Sequence, residues 1–354
     1  MKKLVILGGG YGGLTVAKEL LDRNLPADTV MIMVDRMPYQ GLKTEYYALA
    51  AGTVSDIEIR VKFPVDPRLI LKYGEVTSVD LEQRIIRFEN EEPLSYDWLV
   101  IALGCVDRYH GIPGAQEFSH SIQTLSSTRK TYQAVNDVKP YGQVSIVGGG
   151  LSGVEIAAEL RESRPDLNVR IIDRSASVLS PFPEKLQCYV REWMLEHDIE
   201  QRTHVSLSRV ETGLLYNQQE IIHTDMTIWT AGIQPSPIVQ QLTLPKDNQG
   251  RLTVNEYHQL PDYNEVYVIG DCASQPHAAS GQLAEATGKQ VAEVLQALWK
   301  NEVPRLGRIK LKGTLGSLGK KAGFGMMGKR TVMLGMVPRA LKSGVLWMSK
   351  KHLG

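Results

Sequence analysis

The sequence predicts an α/β fold built on two Rossmann-like units, and three observations carry that prediction. A short apolar run, a glycine-rich turn and a helix-forming run occur twice, 140 residues apart. Each copy returns to a second apolar run that ends in an aspartate. The length of 354 residues suits two domains of roughly 150 residues with a smaller appended part.

The first copy runs from Lys3 to Gly13 (KLVILGGGYGG) and into a helical pattern over 14–21. The strand that follows, 30–35, ends in Asp35. The second copy runs from Gln143 to Gly153 (QVSIVGGGLSG), into a helical pattern over 154–160, and its strand 169–173 ends in Asp173. Gly8 and Gly148 allow the tight strand-to-helix turn. Gly10 and Gly150 let the backbone approach a diphosphate, and Gly13 and Gly153 let the helix pack closely on the strand. The helix N-terminus offers free N–H groups to the diphosphate. Asp35 lies 22 residues past Gly13 and Asp173 lies 20 past Gly153, the spacing of an acid that binds a ribose hydroxyl. One such turn is weak evidence, since packing turns look alike. Two complete copies point to two dinucleotides, one a flavin and the other a nicotinamide. Asp173 accepts from a 2′-hydroxyl and repels a 2′-phosphate, which favours NADH over NADPH. Arg174 directly after it softens that preference.

Hydrophobic residues make up 43% of the chain and charged residues 22%, an ordinary globular balance. No apolar run approaches the ~20 residues that span a bilayer, and the chain enters a strand pattern at once, so neither a transmembrane helix nor a signal peptide is expected. Cys105, Cys188 and Cys272 are too far apart in sequence for a CxxC pair, and no spaced metal-ligand cluster occurs. The net charge of +1 conceals a division. From Val303 onward there is no acid but twelve bases, among them Arg339, Lys342, Lys350 and Lys351. The remaining 28 bases face all 39 acids, a net of −11 for the body. A basic tail on an acidic body predicts an anionic partner for the tail. With no recognition motif beside the basic run, nucleic acid is not expected.

Further segments resemble the flavoprotein pyridine-nucleotide oxidoreductases over nearly the whole chain. They are 96–104 (YDWLVIALG), 227–235 (TIWTAGIQP), 250–254 (GRLTV) and 266–273 (VYVIGDCA). The resemblance is closest to the type II NADH:quinone oxidoreductase branch, through the absence of a cysteine pair, the segment 153–159 (GVEIAAE) and the segment 312–319 (KGTLGSLG). It implies FAD and NAD(H) as cofactors, with Asp271 on the ribityl chain of FAD. Glu155 becomes the catalytic-site glutamate near the nicotinamide and flavin rings, and Lys43 and Thr44 lie by the isoalloxazine. It also implies an NAD domain (111–239) inserted in a discontinuous FAD domain (1–110 and 240–300), with 301–354 as a C-terminal membrane-association or interface element. The branch's quinone-site segment AQxAxQ aligns with 281–286 (GQLAEA): Gln282 and Ala284 match, whereas Gly281 and Ala286 depart.

From Pro338 the tail reads as an amphipathic helix. Ala340, Leu341, Gly344, Val345, Trp347 and Met348 fall on one face and Arg339, Lys342, Ser343, Ser349 and Lys350 mostly on the other. Such a helix lies on an anionic bilayer without crossing it, on the cytoplasmic side. A core-packing helix with a solvated basic face, at a homodimer contact, is the plainer alternative. The expected function is therefore an FAD-dependent NADH oxidoreductase that passes electrons to a quinone at the membrane surface. The alternatives are a soluble NADH-dependent reductase of a protein acceptor and a flavin- or NADH-binding redox sensor.

Overall fold

Strands Lys2–Leu7 and Gln143–Val147 are buried on both faces over Leu4–Leu7 and Val144–Val147, so each becomes an interior strand of a mainly parallel sheet. The computed structural model describes residues 1–353 apart from 24, 329 and 330, with backbone alone for 351–353. The first sheet has the order Gln259–Leu260, Tyr263–Val268, Trp98–Ile101, Lys2–Leu7, Thr29–Asp35, Leu69–Tyr73, antiparallel only at its first pair. The second is parallel throughout: His120–Ser121, Met226–Trp229, Gln143–Val147, Asn168–Ile172, Ile199–Arg202. Leu4 sits opposite Met31 and Trp98, and Ile146 opposite Ile171 and Ile228.

The repetition extends beyond the motifs. In each unit a three-stranded antiparallel meander intervenes before the chain re-enters the sheet. One is Val76–Asp80, Ile85–Phe88 and Leu94–Ser95; the other is Arg209–Glu211, Leu214–Asn217 and Glu220–His223. The chain passes to the second unit through Cys105–Asp107 and returns through Ile233–Pro235, and these two segments pair antiparallel. Helix Gly281–Trp299 then packs on helix Tyr11–Asp22 so closely that a Cβ at Gly288 would lie 2.7 Å from Gly12 O.

Within the expected C-terminal element, 301–354, a sheet precedes the helix. Residues Gly313–Leu318, Ala322–Met327 and Thr331–Gly335 form an antiparallel sheet. Its Leu318 and Phe324 are fully buried and join the same apolar core as Val154 and Ala158 of helix Leu151–Ser163. The glycines of this segment are spaces for side chains: a Cβ at Gly316 would lie 2.2 Å from Phe324 Cζ. The closing helix is Met336–Leu353, and among the described residues no helix is long and apolar enough to cross a membrane.

The faces of that helix are the reverse of the core-packing alternative. Leu341, Val345, Trp347 and Met348 are exposed, whereas Arg339 and Lys342 turn toward the body. The cause is electrostatic: Lys342 meets a buried carboxylate, Glu155, and Arg339 Nε donates to Gly319 O at 3.0 Å. Lys342 is therefore not among the bases a membrane can reach. Lys329 and Arg330, and the side chain of Lys351, lie outside the described residues.

Phe324→Ala should cost about 3 kcal/mol, the usual size for emptying a fully buried aromatic site. Urea unfolding would measure it, with proteolytic cleavage within 313–335 preceding cleavage in the two parallel sheets.

Candidate functional site

Local geometry makes each glycine turn a cradle. The chain leaves Leu7 through Gly8 at φ +99°, a conformation open to glycine. A Cβ at Gly13 would lie 1.9 Å from Gly8 O, so the helix starts this close to the strand only without a side chain there. Gly148, at φ +111°, and Gly153 repeat both features, with the same 1.9 Å approach to Gly148 O. Gly10 and Gly150 are different: nothing lies within 4 Å of a Cβ at either. Each is the N-cap of its helix, and neither helix has a side-chain cap. The first-turn N–H groups and the positive end of the dipole therefore face open space, which suits a diphosphate.

The two acids are held in one manner. Asp35 accepts from Gly9 N at 2.7 Å and Met37 N at 2.9 Å; Asp173 accepts from Gly149 N at 2.6 Å and Ser175 N at 2.7 Å. Each carboxylate thus ties the end of its strand to the glycine turn and keeps lone pairs for a ribose. Burial pushes Asp35 up from its ordinary value, against those backbone N–H groups. The residues fit a dinucleotide at both turns: an unfilled approach, uncapped N–H donors and a fixed acceptor for the sugar.

Asp271 lies in the short turn Gly270–Cys272, at the carboxyl ends of strands Trp98–Ile101 and Tyr263–Val268, where ligands of such sheets sit. Lys43 Nζ reaches Cys105 Sγ at 3.1 Å, and Tyr11 OH is 3.1 Å from Thr44 Oγ1, so Lys43 and Thr44 line the same mouth. Burial pushes the Cys105 and Cys272 thiols up to about 12, so neither is a thiolate nucleophile.

Glu155 is on the second turn of helix Leu151–Ser163 and is buried, not an exposed dipole residue of the first turn. It accepts from Ser317 N at 2.9 Å and from Ser317 Oγ at 3.2 Å, and pairs with Lys342. The two paired side chains are only 9% and 12% exposed. Lys342 also donates to Tyr47 OH at 2.6 Å and stands 4.4 Å above that ring. Glu159, one helical turn on, accepts from Thr53 Oγ1, and burial raises its carboxyl; Glu45 is buried nearby. Sequence reasoning missed Glu45, Tyr47, Glu159 and the partner Lys342. Only Glu159 left a signal, its four-residue spacing from Glu155 on one helix face.

Gln282, on the first turn of helix Gly281–Trp299, is committed to backbone. Its Nε2 donates to Gly313 O at 3.0 Å, and its Oε1 accepts from Lys312 N at 3.0 Å. The amide thereby anchors the start of the C-terminal sheet. Among the described residues no group of acids, histidines and cysteines could hold a metal ion.

Comparison with known proteins agrees with this architecture. The family described as pyridine nucleotide-disulphide oxidoreductase matches residues 2–289. The NADH dehydrogenase-like protein YutJ of Bacillus subtilis is 51% identical, covering 100% of both chains. A type II NADH:quinone oxidoreductase of Staphylococcus epidermidis is 25% identical over 94% of this chain and 91% of its own. Among solved structures, NDH2 from Plasmodium falciparum in complex with NADH superposes with a TM-score of 0.85 at 17% identity, covering 99% of this chain and 96% of that one.

Burial pushes Glu45 up from 4.5 to about 7, with Lys342 pulling it down and Glu155 pushing it further up. A carboxyl raised by folding stabilises while it is protonated. Its contribution is full below about 4.5 and is lost as pH rises through about 7. Glu45→Gln should flatten stability across that window and add on the order of 3 kcal/mol near pH 8. Denaturant titrations on both sides of the window check this; an equal effect at both ends would mean that Glu45 does not titrate there.

Proposed function

Since the chain belongs to the pyridine nucleotide-disulphide oxidoreductase family, we propose that it passes electrons from NADH to a quinone at a membrane surface. Its coarser activity is that of an FAD-dependent NADH oxidoreductase. The observation that carries the reading is the pair of open glycine cradles, each with its pinned aspartate, in one chain. FAD, when bound, supplies the acceptance of hydride and the onward transfer of electrons.

The chain's own residues bind and orient. Gly8, Gly10, Gly13 and Asp35 would hold the adenosine diphosphate half of FAD, and Asp271 its ribityl chain. Gly148, Gly150, Gly153 and Asp173 would hold NADH. Glu155 borders the ring region, and Lys342, fixed between Glu155 and Tyr47, keeps that carboxylate in one orientation and out of water. The quinone rests on the names of relatives, such as the Staphylococcus epidermidis enzyme. The membrane rests on the outer face of helix Met336–Leu353, where Leu341, Val345, Trp347 and Met348 form an exposed apolar strip.

A soluble reductase of a protein acceptor is the second reading. It is favoured by Gln282, whose amide is engaged with the backbone of 312–313 instead of facing an acceptor.

The purified flavoprotein should oxidise NADH with a quinone in anionic liposomes as sole acceptor. Replacing both Leu341 and Trp347 by serine should lower that rate about fivefold or more, through weaker binding to the vesicles; ferricyanide reduction is the control. Turnover with ferricyanide but none with the quinone would favour the protein acceptor. Glu155→Gln should slow flavin reduction by NADH or reoxidation by quinone while flavin stays bound. Stopped-flow traces unchanged in both half-reactions would remove Glu155 from the site.

A further inference from the structure

The chain crosses from the first unit to the second through Cys105–Asp107, and this strand pairs with the returning strand Ile233–Pro235. The crossing strand follows Trp98–Ile101 of the first sheet, and the returning one follows Met226–Trp229 of the second. Thr230, between the last two, lies against the second glycine turn, where a Cβ at Gly148 would come 2.7 Å from Thr230 C. The paired strands thus join the carboxyl ends of both parallel sheets, and ligands laid on the two cradles bring their reactive ends together at this seam. Cys105 and Asp107 point to one side of their strand and are only 7% and 6% exposed. Lys43 Nζ reaches Cys105 Sγ at 3.1 Å. Burial raises the Cys105 thiol, Lys43 lowers it and Asp271 raises it, so these groups share one neighbourhood.

Asp107 is a buried carboxylate that forms no ion pair among the described residues. Ser121 Oγ, on an edge strand of the second sheet, donates to its Oδ2, and Gln123 N donates to Ser121 Oγ at 3.1 Å. Its Oδ1 has no hydrogen-bond partner among the described residues. Two titratable groups face it besides Cys105 on its own strand: Lys43, which favours its charge from a distance, and the Tyr109 hydroxyl. Such a carboxylate holds its charge poorly, because burial disfavours the ion and one hydroxyl with a remote ammonium only partly offsets that. Burial accordingly pushes Asp107 up to about 6, against Ser121 and Lys43. Any further negative charge at the seam raises it again.

We propose that Asp107 takes up a proton when two electrons enter the flavin and releases it when they leave, with Lys43 as the cation that the carboxylate and the electron-rich ring share. This rests on the reading of Gly8–Asp35 as the FAD site and Gly148–Asp173 as the NADH site. NADH delivers its hydride without a free proton, so the seam gains one negative charge. Asp107 binds one proton from water, and the net charge of the seam is restored. A two-electron acceptor such as a quinone takes two protons. One leaves the reduced ring with the electrons, and the release from Asp107 balances the other.

The test uses the intact FAD-loaded chain, without oxygen, in weakly buffered solution with a pH-indicator dye. One equivalent of NADH should bleach the flavin and draw about one proton from the medium near pH 7. NAD+ alone, the control for binding, should draw none. Asp107→Asn should bleach to the same extent and abolish the uptake. Its flavin midpoint potential should also fall more gently with pH than that of the unmodified chain above about pH 6. If the asparagine variant does not fold, Ser121→Ala serves: losing the hydroxyl that holds the charged form should move the onset of uptake to higher pH, and an unmoved onset overturns the proposal. Uptake unchanged in Asp107→Asn, or bleaching without uptake in the unmodified chain, overturns the role of Asp107 and leaves both cofactor sites standing. If NADH does not bleach the flavin, the coenzyme reading falls and the proposal with it.

Discussion

Three parts of the chain meet at one buried ion pair. Glu155 belongs to the helix of the second unit, Lys342 to the closing helix, and Tyr47, which Lys342 also contacts, to the first unit. Charges so far from water are costly, and their attraction compensates only when their remaining hydrogen-bonding capacity is met. Here it is met by Ser317, through backbone and hydroxyl, and by the tyrosine. Removing the lysine would strand the carboxylate beside Glu45 and Glu159, and breaking such a pair from one side costs about 3–5 kcal/mol. The closing helix is thus held by its charge, which explains how its apolar strip can stay outside.

The fold was legible where its cause is local. A glycine that must meet Gly8 O, or an acid that must reach the turn from the end of the next strand, leaves a spacing that one sequence displays. The Glu155–Lys342 contact spans 187 residues and leaves none. The three C-terminal strands were hidden for another reason: glycine is a poor strand former, and Gly316 is present because Phe324 needs its space. The tail's amphipathy is legible as a pattern, but that Lys342 turns inward depends on the buried carboxylate of Glu155, far away in sequence. Gln282 shows the same limit, since a matching residue type did not reveal that its amide serves the backbone.

The two units are near copies in frame and different in finish. Strand, turn, helix, acid and meander recur in order, and the pinned aspartates even repeat their hydrogen bonds. What distinguishes the two units is added at their edges. Phe63 crowds the glycine turn of the first unit, whereas Val178 and the loop after Asp173 cover that of the second. Chemistry that needs two unlike dinucleotides is accommodated by varying these borders while the shared scaffold is kept.

The paired connections Cys105–Asp107 and Ile233–Pro235 have a consequence for ancestry. The second unit begins and ends at neighbouring points, so its two chain ends lie side by side where it joins the first. A segment with adjacent ends can be cut out and replaced by another of the same span with little disturbance to its host. The architecture therefore lends itself to exchange of whole inserted units between lineages, and the host and its guest are free to carry different histories within one gene.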